Sequence, residues 1–581
     1  MRCLLLHPED DPLAGLWSEG PWDRVVDLGI AGPSTYKMWS KALGCEVEPY
    51  PSLDQLDFAT LRQMHAFGLG QVVDEQGLDW WDLCCVRWLD QFVDLVLTAK
   101  FVASLASTDE IGLASERYAQ VLEAVAPGRI PRIVKQRPGP KPRSPFGRLR
   151  KLSLRQLLEI LGDKYDGDYK WRRLIAPARA NCRRPVVLLP SAYGNASRTA
   201  LVLAASLPNQ EFLLVGTRRS ARVDSLPQNT KWAWLSSYAT GQPGQDEIRG
   251  LLSRWERLRE SLTGHAELKL LRGMGCFDTF PAHVQEGLAI RDCWTSVLDG
   301  EPIVSVLCAD EKNPYTRIPV LLAQKRGIPT VACHHGALDG RYLFTDVCAD
   351  QFLAKSEMEW DYLVNLCRMS EEVVRVASGP RVPFDGCQAT RGGNAIVFFS
   401  EPYEAFNGRT REVYAEVLPG LSRLAKHHSR QLIIKLHPFE NLRECKRIAD
   451  LVLSRGDRSN LKFVTGPLSK ELVGDAWFSV TVSSSAAVDC ATQGVPAFLC
   501  LWLDRYGFGY GEQFVKFGAA LPLRAAEQIS EIPSRLRDFA KQTVGDSSSN
   551  LDPELLRKML FPNAVASYAS NAGREEEKMW A

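Results

Sequence analysis

Two groups of polar residues in the second half of the chain have the chemistry to hold a phosphate. His437-Pro438 follows the apolar run Leu432–Leu436, and Ser483-Ser484-Ser485 follows the run Phe478–Val482. An imidazole, together with hydroxyls and free backbone N–H groups at a predicted helix start, can donate hydrogen bonds to an anion. A structural histidine and an ordinary serine cap are the alternative interpretation. The pattern predicts an anion site that binds the activated half of a substrate.

Glu401 and Lys435 extend this group. Glu401 comes directly after the run Ala395–Phe399 and could accept a hydrogen bond from a ribose or a sugar. Lys435 precedes His437 by two residues, so the two share a face only if the strand continues. We therefore expect seven residues to bind the activated half of the substrate, which is the donor of the transferred group. They are Glu401, Lys435, His437, Pro438, Ser483, Ser484 and Ser485.

A second group of candidates lies earlier in the chain, again after apolar runs. The candidates for proton transfer are Asp310, Glu311, His335 and Asp339, and those for acceptor binding are Ser191, Tyr193 and Asn195. A carboxylate or an imidazole that faces an anion site can take a proton from an attacking hydroxyl. Solvated loops and an ordinary strand-to-helix turn are the alternatives. His334 and His335 have no partner at His-x-x-x-His spacing, so we expect no metal.

The elements that must position these residues are strands alternating with helices. Short, nearly continuous apolar runs of this kind predict parallel sheets covered on both faces. Ligands of such sheets bind outside the carboxyl ends of the strands. The predicted fold class is α/β, with two doubly wound Rossmann-like domains facing a cleft. Five segments are predicted. Residues 1–128 form an α/β region that is mostly helical after two strands and has no assigned role, and residues 129–184 form a linker with a short helix. The two doubly wound domains are residues 185–385 and 390–545, and residues 546–581 form a tail.

Composition excludes several classes of protein. The 581 residues are 45% hydrophobic and 24% charged, which is ordinary for globular proteins, and the net charge of +1 argues against a dedicated nucleic-acid binder. The 15 cysteines contain no C-x-x-C pair, and no apolar stretch is long enough for a spanning helix. Segment 129–184 is basic and rich in proline; a solvated linker is the simplest interpretation, and contact with anionic headgroups is the alternative. We expect a cytoplasmic protein, with peripheral contact to the inner face of the cell membrane left open.

The spacing of His437-Pro438, the three serines and Gly494-Val495-Pro496 resembles the donor half of GT-B glycosyltransferases. The pattern is most similar to bacterial capsule Kdo transferases, sialyl- and polysialyltransferases and CDP-glycerol glycerophosphotransferases. His334-His335-Gly336 resembles the end of the amino-terminal half of these enzymes, and UDP-N-acetylglucosamine 2-epimerases share the fold. The resemblance spans about residues 185–523 and implies a nucleotide-sugar donor bound by the last domain, without metal or other cofactor. It implies donor-phosphate contacts for His437 and the serines.

The function expected from these features is transfer of a sugar from a nucleotide donor to a surface polysaccharide or glycolipid acceptor. The missing G-x-G-x-x-G, P-loop and G-x-S-x-G motifs argue against a dinucleotide enzyme, a P-loop NTPase and a serine hydrolase. The alternatives are a nucleotide-sugar 2-epimerase, a glycerophosphotransferase and a non-catalytic scaffold that binds glycan. The donor sugar, the acceptor and the choice of base among Asp310, Glu311, His335 and Asp339 stay open.

Overall fold

The structure is a computed structural model that describes most of the chain outside the basic segment and the carboxyl-terminal tail. The described residues are 1–6, 22–28, 32–49, 58–85, 101–105, 110–113, 116–125, 132–133, 179–239, 243–338, 340–376, 392–403, 409–504, 508–541 and 552–562, with the single residues 96, 99 and 241. The helix predicted near 154–161 lies outside these ranges.

The amino-terminal region contains a five-stranded parallel sheet. Its strands are β1 (Arg2–Leu6), β2 (Arg24–Asp27), β3 (Val47–Pro49), β4 (Glu110–Leu113) and β5 (Arg132–Ile133), in the order β3-β2-β1-β4-β5. The helices of this part of the chain are α1 (Pro33–Leu43), α2 (Phe58–Gly68) and α3 (Glu116–Val125). The order is that of a Rossmann-type sheet. The sequence predicts only β1 and β2, since β3 to β5 are too short to show an apolar pattern.

The middle of the chain forms a seven-stranded parallel sheet of the same type. Its strands are β6 (Val186–Ser191), β7 (Glu211–Gly216), β8 (Thr230–Trp234), β9 (Ile303–Cys308), β10 (Thr330–Ala332), β11 (Gln351–Ala354) and β12 (Val374–Val376). The order is β12-β11-β10-β9-β6-β7-β8, so the direction of winding changes between β6 and β9. Every residue of β6 is buried, as expected of a strand covered on both faces.

Helices connect these strands in the doubly wound manner. They are α4 (Gly194–Ala205), α5 (Gln245–Ser261), α6 (Ala266–Gly273), α7 (Phe280–Gly300), α8 (Pro314–Lys325), α9 (Arg341–Phe344) and α10 (Glu357–Asp361). The side chain of Asn313 caps α8 by accepting a hydrogen bond from the Tyr315 N–H, and Pro314 occupies the first helical position. The short loop Ala309–Asn313 is thereby fixed directly after β9.

The carboxyl-terminal half forms a six-stranded parallel sheet. Its strands are β13 (Ala395–Phe399), β14 (Gln431–Lys435), β15 (Leu461–Val464), β16 (Ala476–Thr481), β17 (Ala497–Cys500) and β18 (Leu521–Leu523), in the order β15-β14-β13-β16-β17-β18. The helices are α11 (Thr410–His427), α12 (Leu442–Val452), α13 (Lys470–Gly474), α14 (Ala486–Thr492), α15 (Tyr510–Lys516), α16 (Ile532–Lys541) and α17 (Pro553–Leu560). The winding direction changes between β13 and β16. The predicted α/β class with doubly wound parallel sheets is confirmed.

The compact units of the protein do not follow chain order. One unit joins residues 1–57, 93–142 and 382–547, and the other joins residues 58–92, 143–381 and 548–581. Helix α2 belongs to the unit of the seven-stranded sheet, and so does α17, whose Leu556, Met559 and Leu560 are buried in the core of that unit. Among the described residues, no helix is long and apolar enough to cross a membrane.

Within the first unit, buried charges join the end of β2 and the start of α1 to helix α11 and the residue before it. Asp27, at the end of β2, accepts a hydrogen bond from Arg409 at 2.9 Å, and both side chains are nearly inaccessible to solvent. Glu416 of α11 accepts hydrogen bonds from the Thr35 N–H at 3.0 Å and the Ser34 hydroxyl at 3.1 Å. Glu416 therefore caps the start of α1 from another sheet's helix, a contact that no local pattern predicts.

Candidate functional site

The three central strands of the carboxyl-terminal sheet bring the predicted donor residues to one edge. Phe399 of β13 pairs with Lys435 of β14 on one side and with Thr481 of β16 on the other. The three strands are parallel and end at the same level, so the segments that follow them meet at the point where the winding reverses. His437 and Ser483 lie after the two outer strands, and Ser400 and Glu401 lie after the middle one.

Hydrogen bonds join these segments into one line. The His437 N–H donates to Glu440 Oε2 at 2.7 Å, and the Ser400 hydroxyl donates to Glu440 Oε1 at 2.6 Å. On the other side, the Ser483 N–H and hydroxyl donate to Glu401 at 2.9 and 2.8 Å. Since Ser400 and Glu401 are consecutive, the strand ends of β14, β13 and β16 are held together side by side. We refer to His437, Glu440, Ser400, Glu401 and Ser483 as the donor-edge line.

His437 is oriented to donate through Nε2. Its Nδ1 accepts a hydrogen bond from the Phe439 N–H at 3.3 Å, so a neutral ring carries its proton on the other nitrogen. Burial, and then the positive charge of Lys435, lower the pKa of His437, which keeps the ring neutral at pH 7. The exposed Pro438 follows, and the ring of Phe439, 75% exposed, lies with its centroid 5.0 Å from the imidazole.

Glu440 titrates within the physiological range. Burial raises its pKa to about 7, and the charge of Glu401 acts in the same direction, against the hydrogen bonds from Ser400 and His437. The hydroxyl of Tyr414 lies 2.9 Å from that of Ser400 and extends the polar network into the core. Ser400, Glu440 and Tyr414 are not among the predicted site residues. The sequence does show an acid, Glu440, two residues after His437-Pro438. Its contacts with Ser400 and His437 are visible only in the fold.

The three serines differ in what their hydroxyls do. Ser483 is committed to Glu401, whereas Ser484 Oγ accepts a hydrogen bond from the Ala486 N–H at 3.3 Å. The Ser485 side chain makes no capping hydrogen bond at the start of α14. All three are partly exposed. Within the described residues, the protons of Ser484 and Ser485 have no recorded acceptor, so these two hydroxyls can donate to a ligand.

Lys435 is a correction to the predicted donor set. Its side chain is buried, and the ammonium donates to the carbonyls of Leu436 at 2.9 Å and Gly466 at 2.6 Å. It therefore ties the loop after β15 to the end of β14, and burial lowers its pKa. Glu401 likewise has a positioning role, because Thr481 Oγ1 and both Ser483 donors occupy its carboxylate.

A second edge is formed by the carboxyl ends of β6, β9 and β10. The Tyr193 hydroxyl donates to Asp310 Oδ2, and the tyrosine oxygen lies 3.3 Å from His335 Nδ1. The rings of Tyr193 and His335 meet edge to face, with centroids 5.0 Å apart. The Lys312 N–H donates to Asp310 Oδ1 at 3.1 Å. The structure thus brings three predicted residues from three strand ends into contact, at the point where this sheet reverses its winding.

Glu311 and Ser191 do not reach open space. Glu311 is fully buried, and its Oε2 accepts hydrogen bonds from the Cys348 N–H at 2.9 Å and the Ala349 N–H at 3.0 Å. Ser191 is also fully buried and shares a 2.7 Å hydrogen bond with Ser197. We therefore correct both expectations: Glu311 fixes the loop before β11, and Ser191 fixes the start of α4. Asn195 is partly exposed and accepts a hydrogen bond from Arg198. Asp339 lies outside the described residues.

These strand orders define a doubly wound α/β protein with Rossmann-type sheets. No protein-family model matches the chain, and no curated protein matches it in sequence. Among solved structures, the chain is similar to the UDP-GlcNAc 2-epimerase of Neisseria meningitidis bound to UDP-GlcNAc, with 13% identity, a TM-score of 0.39 and coverage of 65% of this chain and 100% of that one.

Two other solved structures are similar to the chain at the same level. For the Methanocaldococcus jannaschii UDP-GlcNAc 2-epimerase in complex with UDP-GlcNAc and UDP, the values are 11% identity, a TM-score of 0.41, and 65% and 100% coverage. For CalG4, the calicheamicin glycosyltransferase, the identity is 12%, the TM-score is 0.34, and the match covers 68% of this chain and 98% of that one. With TM-scores below 0.5, the class of fold rests on the strand orders of the chain itself.

Proposed function

We propose that the protein is a metal-independent glycosyltransferase that moves a sugar from a nucleotide donor to a hydroxyl of a glycan or glycolipid acceptor. The observation that carries the proposal is the donor-edge line together with Ser484 and Ser485, which follow Ser483: a neutral imidazole and two serine hydroxyls lie at the winding reversal of a Rossmann-type sheet. A phosphate bound there would receive hydrogen bonds from His437 Nε2 and from the hydroxyls of Ser484 and Ser485.

The second edge supports the acceptor half of the reaction. The acceptor hydroxyl would attack the anomeric carbon of the donor sugar while Asp310 takes its proton. The bond between that carbon and the phosphate oxygen breaks, and its electron pair leaves with the nucleotide, which His437 and the serines stabilise. Tyr193 holds the carboxylate of Asp310 in place, and His335 lies on the other side of the tyrosine oxygen. We propose Asp310 as the base. This residue is 3% exposed, so the acceptor hydroxyl would take the place of the Tyr193 hydroxyl at Oδ2.

Nucleotide titration tests the donor half. Isothermal titration with UDP, CDP and CMP should show binding of at least one nucleotide. We expect His437→Ala to raise its Kd by about 10- to 100-fold, the effect of one hydrogen bond to a charged group. His427→Ala is the matched control, because His427 is an exposed imidazole at the end of α11. Equal affinities in the wild type and His437→Ala would remove the basis of the proposal.

Turnover tests the acceptor half and separates the alternatives. Asp310→Asn should lower kcat by about 10² to 10⁴, the usual contribution of a general base, and leave nucleotide Kd unchanged. A larger loss in His335→Ala than in Asp310→Asn would move the base to His335. A C2 epimer formed from a nucleotide sugar without acceptor would identify an epimerase. Tight nucleotide binding without turnover on any acceptor would identify a binding scaffold.

A further inference from the structure

Arg218 has no ion-pair partner among the described residues. It follows β7 by two residues, and its Nε is buried with no hydrogen-bond partner. Within the described residues its recorded contact is a ring: the guanidinium carbon lies 4.5 Å from the centroid of Tyr315. The preceding residue, Thr217, is 7% exposed, and its hydroxyl is also buried without a partner. Two consecutive residues thus leave polar atoms unsatisfied, which is uncommon in a folded protein.

Sheet topology places Arg218 next to the proposed catalytic group. Ser191 of β6 pairs with Gly216 of β7, so Tyr193 and Arg218 each stand two residues beyond a paired position. Tyr315 lies at the start of α8, directly after the loop that carries Asp310. Because β6 lies between β7 and β9, the guanidinium must extend past the end of β6 to reach the Tyr315 ring. It therefore lies at the same edge as Tyr193 and Asp310.

Hydrogen bonds around Arg218 hold the loops after β6 and β7 together and fix the Tyr315 ring. The Ser220 hydroxyl donates to the Ala192 carbonyl at 3.2 Å, and the Ser197 hydroxyl donates to the Ala221 carbonyl at 2.6 Å, so the loops after β6 and β7 are joined. The Tyr315 hydroxyl donates to Glu286 Oε1 at 2.6 Å, which fixes the ring under the guanidinium. A guanidinium stacked on a fixed ring is held ready to bind a carboxylate or phosphate through two parallel hydrogen bonds.

We propose that Arg218 binds an anionic group of the acceptor, either the carboxylate of an acidic sugar or the phosphate of a carrier. This inference rests on the proposed function, in which the nucleotide belongs to the donor-edge line and the acceptor to the edge formed by β6, β9 and β10. An acceptor bound through Arg218 would carry its negative charge beside the hydroxyl that Asp310 deprotonates.

Direct binding tests the proposal without turnover. The probes are hexagalacturonate for the carboxylate arm, a glycerol-phosphate oligomer for the phosphate arm and maltohexaose as the neutral comparison, each titrated into the full chain. The wild type should bind at least one of the two acidic probes and bind maltohexaose more weakly. Arg218→Gln should raise the Kd for that acidic probe by about tenfold or more. Arg218→Lys should bind the same acidic probe several-fold more weakly than the wild type, because an ammonium cannot form two parallel hydrogen bonds to one anionic group.

The control is Arg222→Gln, since Arg222 is an exposed arginine four residues further along the same loop. Its affinity for the acidic probe should match that of the wild type, and UDP affinity should be unchanged in every variant. Equal losses in Arg218→Gln and Arg222→Gln would overturn the proposal in favour of unspecific attraction. Loss of UDP binding in Arg218→Gln would also overturn it, because Arg218 would then serve the nucleotide. If neither the wild type nor any variant binds UDP, CDP or CMP but the Arg218-dependent anion binding persists, the proposed function fails and the anion site stands.

Discussion

Replacing Glu440 with glutamine should remove a pH dependence of local stability that the wild type has. The glutamine can still accept the His437 N–H, and its amide can pair with Ser400, so the contacts at 2.7 and 2.6 Å keep partners. Only the charge is lost. In the wild type, burial raises the pKa of Glu440 from its ordinary value of about 4.5 to about 7. The folded state therefore favours the protonated acid.

Proton linkage at Glu440 gives the direction and the size of this pH dependence of stability. Between about pH 4.5 and 7 the folded chain binds more protons at Glu440 than the unfolded chain does. The stabilising contribution is therefore complete below about pH 4.5 and is lost as the pH rises through about 7. One pKa unit is worth about 1.4 kcal/mol, so the full loss is at most about 3.5 kcal/mol, of which about 2 kcal/mol falls between pH 5.5 and 8.

Hydrogen–deuterium exchange of the peptide that covers residues 431–445 measures this difference. Wild type and Glu440→Gln are compared at each pH, so the intrinsic pH dependence of exchange cancels. The wild-type segment should lose protection relative to the variant by about 2 kcal/mol between pH 5.5 and 8. Glu444→Gln, at an exposed carboxylate paired with Arg447, should show no such trend. A constant difference in protection between wild type and Glu440→Gln across this range would refute the reasoning.

Three further substitutions test a buried ion pair, a buried loop contact and a close packing contact. Asp27→Ala should destabilise the first unit by about 3–5 kcal/mol, because it leaves the buried Arg409 without its carboxylate; urea unfolding followed by tryptophan fluorescence measures the loss, and an unchanged midpoint would contradict it. Glu311→Ala should increase exchange in the loop before β11, where two N–H groups lose their acceptor; unchanged exchange there would show that the loop is held by other contacts. Gly68→Ala should destabilise the protein by about 1–3 kcal/mol, because the added Cβ would clash with the Trp81 ring. A thermal midpoint equal to that of the wild type would show that the ring can move aside.

The fold class could be predicted because most strands appear in the sequence as short apolar runs. The strands Ile303–Cys308, Gln351–Ala354 and Ala395–Phe399 are found at the predicted positions, and so is the edge strand Leu461–Val464. A strand covered on both faces must be apolar along its length, and that run is visible without any tertiary information. Short or edge strands such as β8, β12 and β18 escape prediction, because their residues alternate or are too few to form a run.

Residues that follow a central strand could also be predicted as neighbours. His437, Ser483 and Glu401 meet at one edge, as do Tyr193, Asp310 and His335, because the carboxyl ends of parallel strands coincide. The predicted roles of Lys435, Glu311 and Ser191 failed on burial. A polar side chain after a strand can turn outward to solvent or inward to loop backbone, and its residue type is the same in both cases.

The amino-acid sequence on its own determined the strand-helix alternation and the polar residue types at the strand ends, since both depend on local hydrophobic pattern. Tertiary structure alone decided which of those side chains stay accessible, that Ser400 and Glu440 link the strand ends, and that Arg218 stacks on Tyr315. These contacts join residues distant in sequence, and their hydrogen bonds and burial exist only once the strands are ordered in the sheet.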